Sequence, residues 1–176
     1  MRPLIVALSL CLFVTGATRS VQAADPPAIN PTDSPRSALS SFTERCGGCH
    51  GLQGISVPDR IPTLRHVVGY YLCTPEGREY AIRLPNVAFS KLSDRELADM
   101  MNFVMFTLGA GSVPAGASPY TVAEVGRLRQ QPLAATDLLE KRRAVVAGIT
   151  AKCAGASALW DYQTAAERRA NLGAYP

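Results

Sequence analysis

Residues Glu44–Gly51 read ERCGGCHG: two cysteines, two glycines between them, and a histidine directly after the second. Two thiols and an imidazole so close together form a reactive cluster, and the chemistry it serves depends on two things. One is the compartment, because thiols persist in a reducing setting and pair in an oxidising one. The other is what further ligands the chain offers.

The start of the chain speaks to the compartment. Met1 and Arg2 precede an apolar run, LIVALSLCLFV, and then TGATRSVQAAD. A charged start, a short hydrophobic stretch and small residues at a cleavage point are the pattern of a secretory signal peptide over residues 1–23, cut after Val21-Gln22-Ala23. Cys11 in LSLC faintly resembles a lipid-attachment site, but Leu10 stands where a small residue is wanted. The apolar run is too short to span a bilayer and no later stretch is longer, so no stable membrane span is expected. Residues 1–23 contain Arg2, Arg19 and no acid, so cleavage takes the formal charge from +4 to +2. That near balance gives no basis for nucleic acid or an anionic membrane as partner. Cleavage also removes Cys11 and leaves Cys46, Cys49, Cys73 and Cys153, which an exported setting disfavours as unpaired thiols.

Around the motif the pattern is helical. Residues 24–35 (ADPPAINPTDSP) hold four prolines and no periodicity, and read as an extended arm. Ser34-Pro35 suits a helix start, and Ala38, Phe42 and Cys46 then fall on one face of a helix leading into the motif. In TLRHVVGYYL, the residues Leu64, Val67, Val68 and Tyr71 form the apolar stripe of a short helix. CTPEGREYAIRLPNVAFSK reads as mostly irregular. The clearest helix start is Leu92-Ser93-Asp94-Arg95-Glu96-Leu97, with Ser93 and Glu96 as a capping box and Leu92 and Leu97 as a hydrophobic staple. This helix is expected to stop at Gly109. Residues 110–119 read as a linker. A helical C-terminal extension, 120–176, follows, with helices in TVAEVGRLRQ and TDLLEKRRAVVAGI and a weakly patterned tail containing Trp160. With no repeat and no strand pattern, the expected class is all-α with long loops.

What, then, is CGGCH for? A disulfide between Cys46 and Cys49 leaves His50 without a role, and a thioredoxin-like motif expects a βαβ context that is absent. Zinc needs four ligands, usually from two short clusters; beyond the motif only His66, Cys73 and Cys153 remain, scattered singly. Covalent haem attachment uses all three side chains. The thiols add to the two vinyl groups and the imidazole takes the proximal position on the iron. Small residues between the thiols let the backbone approach the porphyrin. One covalently bound haem c is expected, held by Cys46 and Cys49 with His50 as proximal ligand.

Residues 36–109 resemble the haem domain of the class I c-type cytochromes. The resemblance rests on Phe42 four residues before Cys46, on CGGCHG, on the Pro-x-Leu of Pro62–Leu64, and on LSDRELADMMNFV, which is similar to the family's last helix. It covers under half of the chain and leaves the extension outside. It implies a cytochrome c-like all-α fold in which the first and last helices cross beside the haem, with Phe42 meeting Met101 or Phe103. It also implies that the Pro62 carbonyl accepts a hydrogen bond from the His50 ring. The family's usual sixth ligand is a Met in the loop before the last helix. Here that loop reads RLPNVAF, with Leu84 at the expected position, and Leu cannot coordinate. The substitutes are Met100, Met101 or Met105 in the last helix, His66, a less conventional group such as Lys91, Asn86 or a tyrosine, or no protein ligand at all.

Cys73 and Cys153 are left over. They are expected to form a disulfide tying the extension to the haem domain, the alternative being two buried thiols. Arg60, Arg65, Arg78, Arg83 and Arg95 flank the haem segment; they suit propionate neutralisation or a docking rim, and equally an ordinary solvated surface. The pairs Arg142-Arg143 and Arg168-Arg169 read as polar helix faces. The resulting expectation is a periplasmic monohaem cytochrome that passes single electrons to or from a redox partner protein, a periplasmic dehydrogenase or an oxidase branch. The missing loop Met motivates an alternative, a haem protein whose open or weakly held sixth position binds or turns over a small ligand. A peroxidase-like version would need a distal acid–base group, for which His66 is the one neutral-pH candidate. An exported zinc-stabilised module is the third reading.

Overall fold

The structure, a computed structural model, describes residues 35–57 and 60–171; the expected signal peptide, nearly all of the Pro-rich arm and the Ser34 cap lie outside them. Helix α1, Pro35–Arg45, runs almost unbroken through Cys46 into the single turn α2, Gly47–His50. The His50 N–H donates to the Cys46 carbonyl at 2.9 Å and the Cys46 N–H to that of Phe42 at 2.8 Å. The chain then reverses at Gly51, in the left-handed region at φ 71°, where a Cβ would stand 2.3 Å from the Ile55 carbonyl oxygen. Only glycine makes that turn without displacing the backbone.

The short helix expected over 63–72 is a 3-10 helix instead, and it starts later, at Val68–Cys73. The reason is His66, whose backbone sits at φ 58° and interrupts any α-helix beginning at Thr63. Its N–H donates to Leu108 O at 2.8 Å and its ring Nδ1 to Ala110 O at 2.7 Å, and these two bonds hold the unfavourable conformation. Of the stripe, Val68 and Tyr71 are buried, while Leu64 and Val67 are half-buried.

The segment read as irregular is helical: α3 spans Pro75–Arg83 and α4 spans Pro85–Ala88. Thr74 caps α3 by accepting from the Gly77 N–H at 3.0 Å, and Pro75 takes the first helical position. Gly77 looks like a loop signal but serves packing: a Cβ there would lie 2.5 Å from Tyr71 O and 3.0 Å from Ile149 Cδ1. Helix α5, Asp94–Asn102, begins at the full Ser93/Glu96 capping box and passes directly into π-helical turns over Phe103–Leu108. These end at Gly109 with φ −78°, so the glycine is needed for close approach rather than for a left-handed cap. A Cβ there would meet Met105 O at 2.3 Å and Gly69 N at 2.7 Å.

Beyond it lie α6, Val122–Arg129, α7, Leu138–Lys152, and α8, Leu159–Asn171. Short 3-10 turns at Ala135–Asp137 and Ala156–Ala158 lead into α7 and α8. The fold is all-α, as the sequence implied, with no strand among the described residues. Helix α1 crosses α5 and its π-helical continuation, where the Phe42 and Phe103 rings stand 5.8 Å apart. Helix α3 packs against the 3-10 helix, α6 and α7, and α7 packs on α8. The stretch before α6 is fastened by Arg78, which donates to Ser118 O, Pro119 O and both oxygens of Glu124. The structure joins Cys73 to Cys153, with 6.3 Å between their Cα atoms.

Candidate cofactor site

The helical run α1–α2 brings Cys46, Cys49 and His50 to a cavity of about 490 Å3, a size in the range of cofactor pockets. Cys46 is half-buried and Cys49 exposed, both as free thiols. Burial, and then the neighbouring Cys49, push the Cys46 thiol pKa up. His50 Nδ1 donates to the Pro62 carbonyl at 3.0 Å. A carbonyl only accepts, so this bond puts the proton on Nδ1 and leaves Nε2 as the nitrogen available to a metal. Burial lowers the His50 pKa, partly offset by that bond to Pro62, and keeps the ring in the neutral form that coordination requires.

The cavity has three sides. Phe42, Met101, Val104 and Met105 supply the face made where α1 crosses α5. Pro62, Thr63 and Leu64 lie beside the motif, and Tyr71, Tyr80, Leu84 and Val87 come from the segment between Val68 and α4. The third side belongs to the extension: Leu138, Leu139 and Arg142 of α7, and Leu159 and Tyr162 of α8. Tyr71 and Tyr80 are stacked with centroids 5.5 Å apart. Burial pushes both phenol pKa values up, so they act as neutral hydroxyls.

The candidate sixth ligands divide in two. Met101, Met105, Asn86 and the tyrosines Tyr71, Tyr80 and Tyr162 line the cavity, as does Leu84, while Lys91 does not. Met100 is buried but is not among the lining residues. His66 is exposed and its ring is engaged with Ala110, away from the cavity wall. Of the flanking arginines, none lines the cavity. Arg78 pairs with Glu124, and Arg83 donates to Gln131 O. Arg142, read from the sequence as part of a polar helix face, is instead buried at 4% exposure and lines the cavity. The spacing of Arg142 with Val145, Val146 and Ile149 puts it on the buried stripe of α7 and leaves Arg143 off it, a helical signal the pairing of the two arginines obscures; α8 then covers it.

These residues fit a haem. Two thiols at the attachment spacing, an imidazole with a fixed tautomer, an apolar lining and a buried cation at the same cavity form a coherent donor set. Among the described residues no cluster of three or more His, Cys, Asp or Glu is grouped to hold a metal ion, so the zinc reading finds no ligand set there. No helix of the described residues is long and apolar enough to cross a membrane.

Comparison with known proteins points the same way. No family model matches the chain, and no solved structure matches it significantly. Among curated proteins it is similar to cytochrome c-552 of Thermus thermophilus, 27% identical over 117 residues that cover 56% of this chain and 89% of that protein. It is similar at the same identity, over the same share of its own length, to a second cytochrome c-552 of Thermus thermophilus, of which 79% is covered. Over about half its length the chain is therefore distantly similar to these c-type cytochromes.

Proposed function

We propose that this chain is an exported monohaem class I c-type cytochrome that carries single electrons. The observation that supports it most is the joint placement of Cys46, Cys49 and His50 at one cavity, with Pro62 fixing the imidazole tautomer. In this reading Cys46 and Cys49 hold one haem c through thioether bonds and His50 Nε2 binds its iron. The bound haem supplies a one-electron ferric–ferrous couple. The chain's own contribution is to fix the ring and exclude water. Pro62 orients His50; Phe42, Val104 and Leu159 present apolar surface; and the packed α1–α5 crossing resists movement when charge changes. Residues 36–109 form the haem domain, 110–119 a connector and 120–176 a cover, with residues 1–23 directing export to the periplasm. The partner is a redox protein, a periplasmic dehydrogenase or an oxidase branch.

A second reading rests on Leu84, which lines the cavity where the family's ligating Met is expected. If neither a lining Met nor Asn86 or a lining tyrosine reaches the iron, the sixth position is open to a small molecule. Optical and resonance Raman spectra of the matured protein in both oxidation states, with and without carbon monoxide, decide between the two. The electron-carrier reading predicts a six-coordinate low-spin spectrum that ignores carbon monoxide. A high-spin ferrous spectrum with rapid carbon monoxide binding favours the small-ligand reading, and absence of a haem c signature in the pyridine haemochrome overturns both.

A further inference from the structure

The geometry points to Arg142 as the counter-ion of a haem propionate, supplied by the C-terminal extension and locked in place by the Cys73–Cys153 disulfide. This rests on the haem reading above and adds a residue and a role to it.

Arg142 is 4% exposed and lines the same cavity as the thiols and His50. Arginine is almost never this buried without an ionic partner. Yet its described acceptors are neutral. Nη1 donates to Gln163 Oε1 at 3.2 Å and Nη2 to Leu159 O at 2.9 Å. The guanidinium also sits 4.9 Å from the Tyr162 ring centroid and beside the Tyr71 hydroxyl. The nearby acids are not paired with it. Glu167 takes Arg143 and the Gln163 amide, and Asp161, though at the cavity, is exposed and forms no ion pair with Arg142. Of the five N–H donors a guanidinium carries, those that meet Gln163, Leu159 and the Tyr71 hydroxyl all go to neutral oxygens. A carboxylate reached from the cavity side would compensate the charge, and Arg–carboxylate forks are among the stronger pairings in proteins.

The surroundings are built to hold this cation still. Gln163 is fully buried and is itself fixed, its amide donating to Leu139 O at 3.2 Å. The disulfide joins the last residue of the 3-10 helix that carries Tyr71 to the residue that ends α7. It therefore pins the helix of Arg142 to the wall it faces. None of the flanking arginines that could have served a propionate (Arg60, Arg65, Arg78, Arg83 and Arg95) lines the cavity, whereas Arg142 of α7 does.

The test uses the matured full chain, wild type and with Arg142→Gln or Arg142→Lys. Pyridine haemochrome spectra first establish that haem c is bound; its absence from the wild type overturns the haem reading, and this inference with it. With haem present, the resonance Raman propionate bending bands and the midpoint potential at pH 8 are compared. Arg142→Gln is expected to shift one propionate band and to weaken reduction about tenfold, ~59 mV for one electron, because a cation is lost beside the haem. Arg142→Lys is expected to restore most of the potential and only part of the band. Unchanged bands and potential in a haem-loaded Arg142→Gln protein overturn the proposal. So does a saturable response of the wild-type potential to added acetate that Arg142→Gln abolishes while the propionate bands stay fixed, since the carboxylate would then be a free one. Should Arg142→Gln not fold, the wild type in H2O and D2O still decides: a propionate held by guanidinium N–H changes its band on exchange, and insensitivity of both propionates overturns the proposal.

Discussion

Between Pro35 and Gly109 the chain sets Cys46, Cys49 and His50 in one short run at the cavity, whereas the extension from Tyr120 contributes no sulfur or imidazole to it. The extension brings apolar side chains and one buried cation instead. The first region acts through local spacing, because α1 and α2 fix where Cys46, Cys49 and His50 stand. The second acts through packing at long range, because Arg142 is buried only when α8 lies over it and α7 is fastened to Cys73. Chemistry that depends on neighbours in sequence survives small shifts of the fold. Chemistry that depends on two docked helices does not.

The largest expected effect tests the first region alone. Replacing Cys46 and Cys49 together by Ala abolishes covalent attachment, so that haem is fully extracted by acidified acetone and the haemochrome of the protein residue is lost. The next test separates the regions. Cys73→Ser with Cys153→Ser releases a cross-link spanning 80 residues, which by loop entropy costs about 4 kcal/mol of stability. Denaturant unfolding followed by circular dichroism measures it, and a loss confined to the extension would show up as a transition separate from that of the haem signal. A smaller effect bears on the wall between them. Thr74→Ala removes the cap of α3 and is expected to cost about 1 kcal/mol, read from the same denaturation midpoint.

The smallest effect concerns the fastening of Arg78 to Glu124. The Arg78 hydrogen bond holds the Glu124 carboxyl below its ordinary value of 4.5. A carboxyl lowered on folding contributes stability that is present above its unfolded pKa and lost as pH falls through the folded one. Glu124→Gln should therefore cost up to about 1 kcal/mol at neutral pH, the pair being partly solvated. It should also flatten the decline in melting temperature below pH 4.5. A variant with an unchanged acid limb would show that the connector is held by the Arg78 bonds to Ser118 and Pro119 instead.

Much of the first region is legible in the sequence because its signals are local. The capping box at Ser93 and Glu96, the Phe42 face and the cysteine spacing each involve residues within a few positions of one another. The misreadings come from punctuation used for packing. Pro75, Gly77 and Pro85 look like loop residues, yet Pro75 and Pro85 begin helices and Gly77 makes room for Tyr71 O and Ile149. The late start of the helix at Val68 follows from His66 being held at φ 58° by acceptors at Leu108 and Ala110, which no window around His66 contains. Arg142 is the extreme case. Its partners, Leu159, Gln163, Tyr162 and Tyr71, are brought to it only by the complete fold.

The two cysteine pairs also impose an order of events on a newly made chain. Cys46, Cys49, Cys73 and Cys153 can pair among themselves in three ways, and loop-closure entropy favours the nearest, Cys46 with Cys49, over a pair 80 residues apart. In the proposed reading, the pair that closes most easily is the one that must stay reduced to react with a porphyrin, while the pair that is hardest to close is the one the structure joins. On that reading the chain needs a reductant aimed at its N-terminal motif and an oxidant that acts once α7 has docked, so that its maturation is a problem of sequence in time as much as of structure.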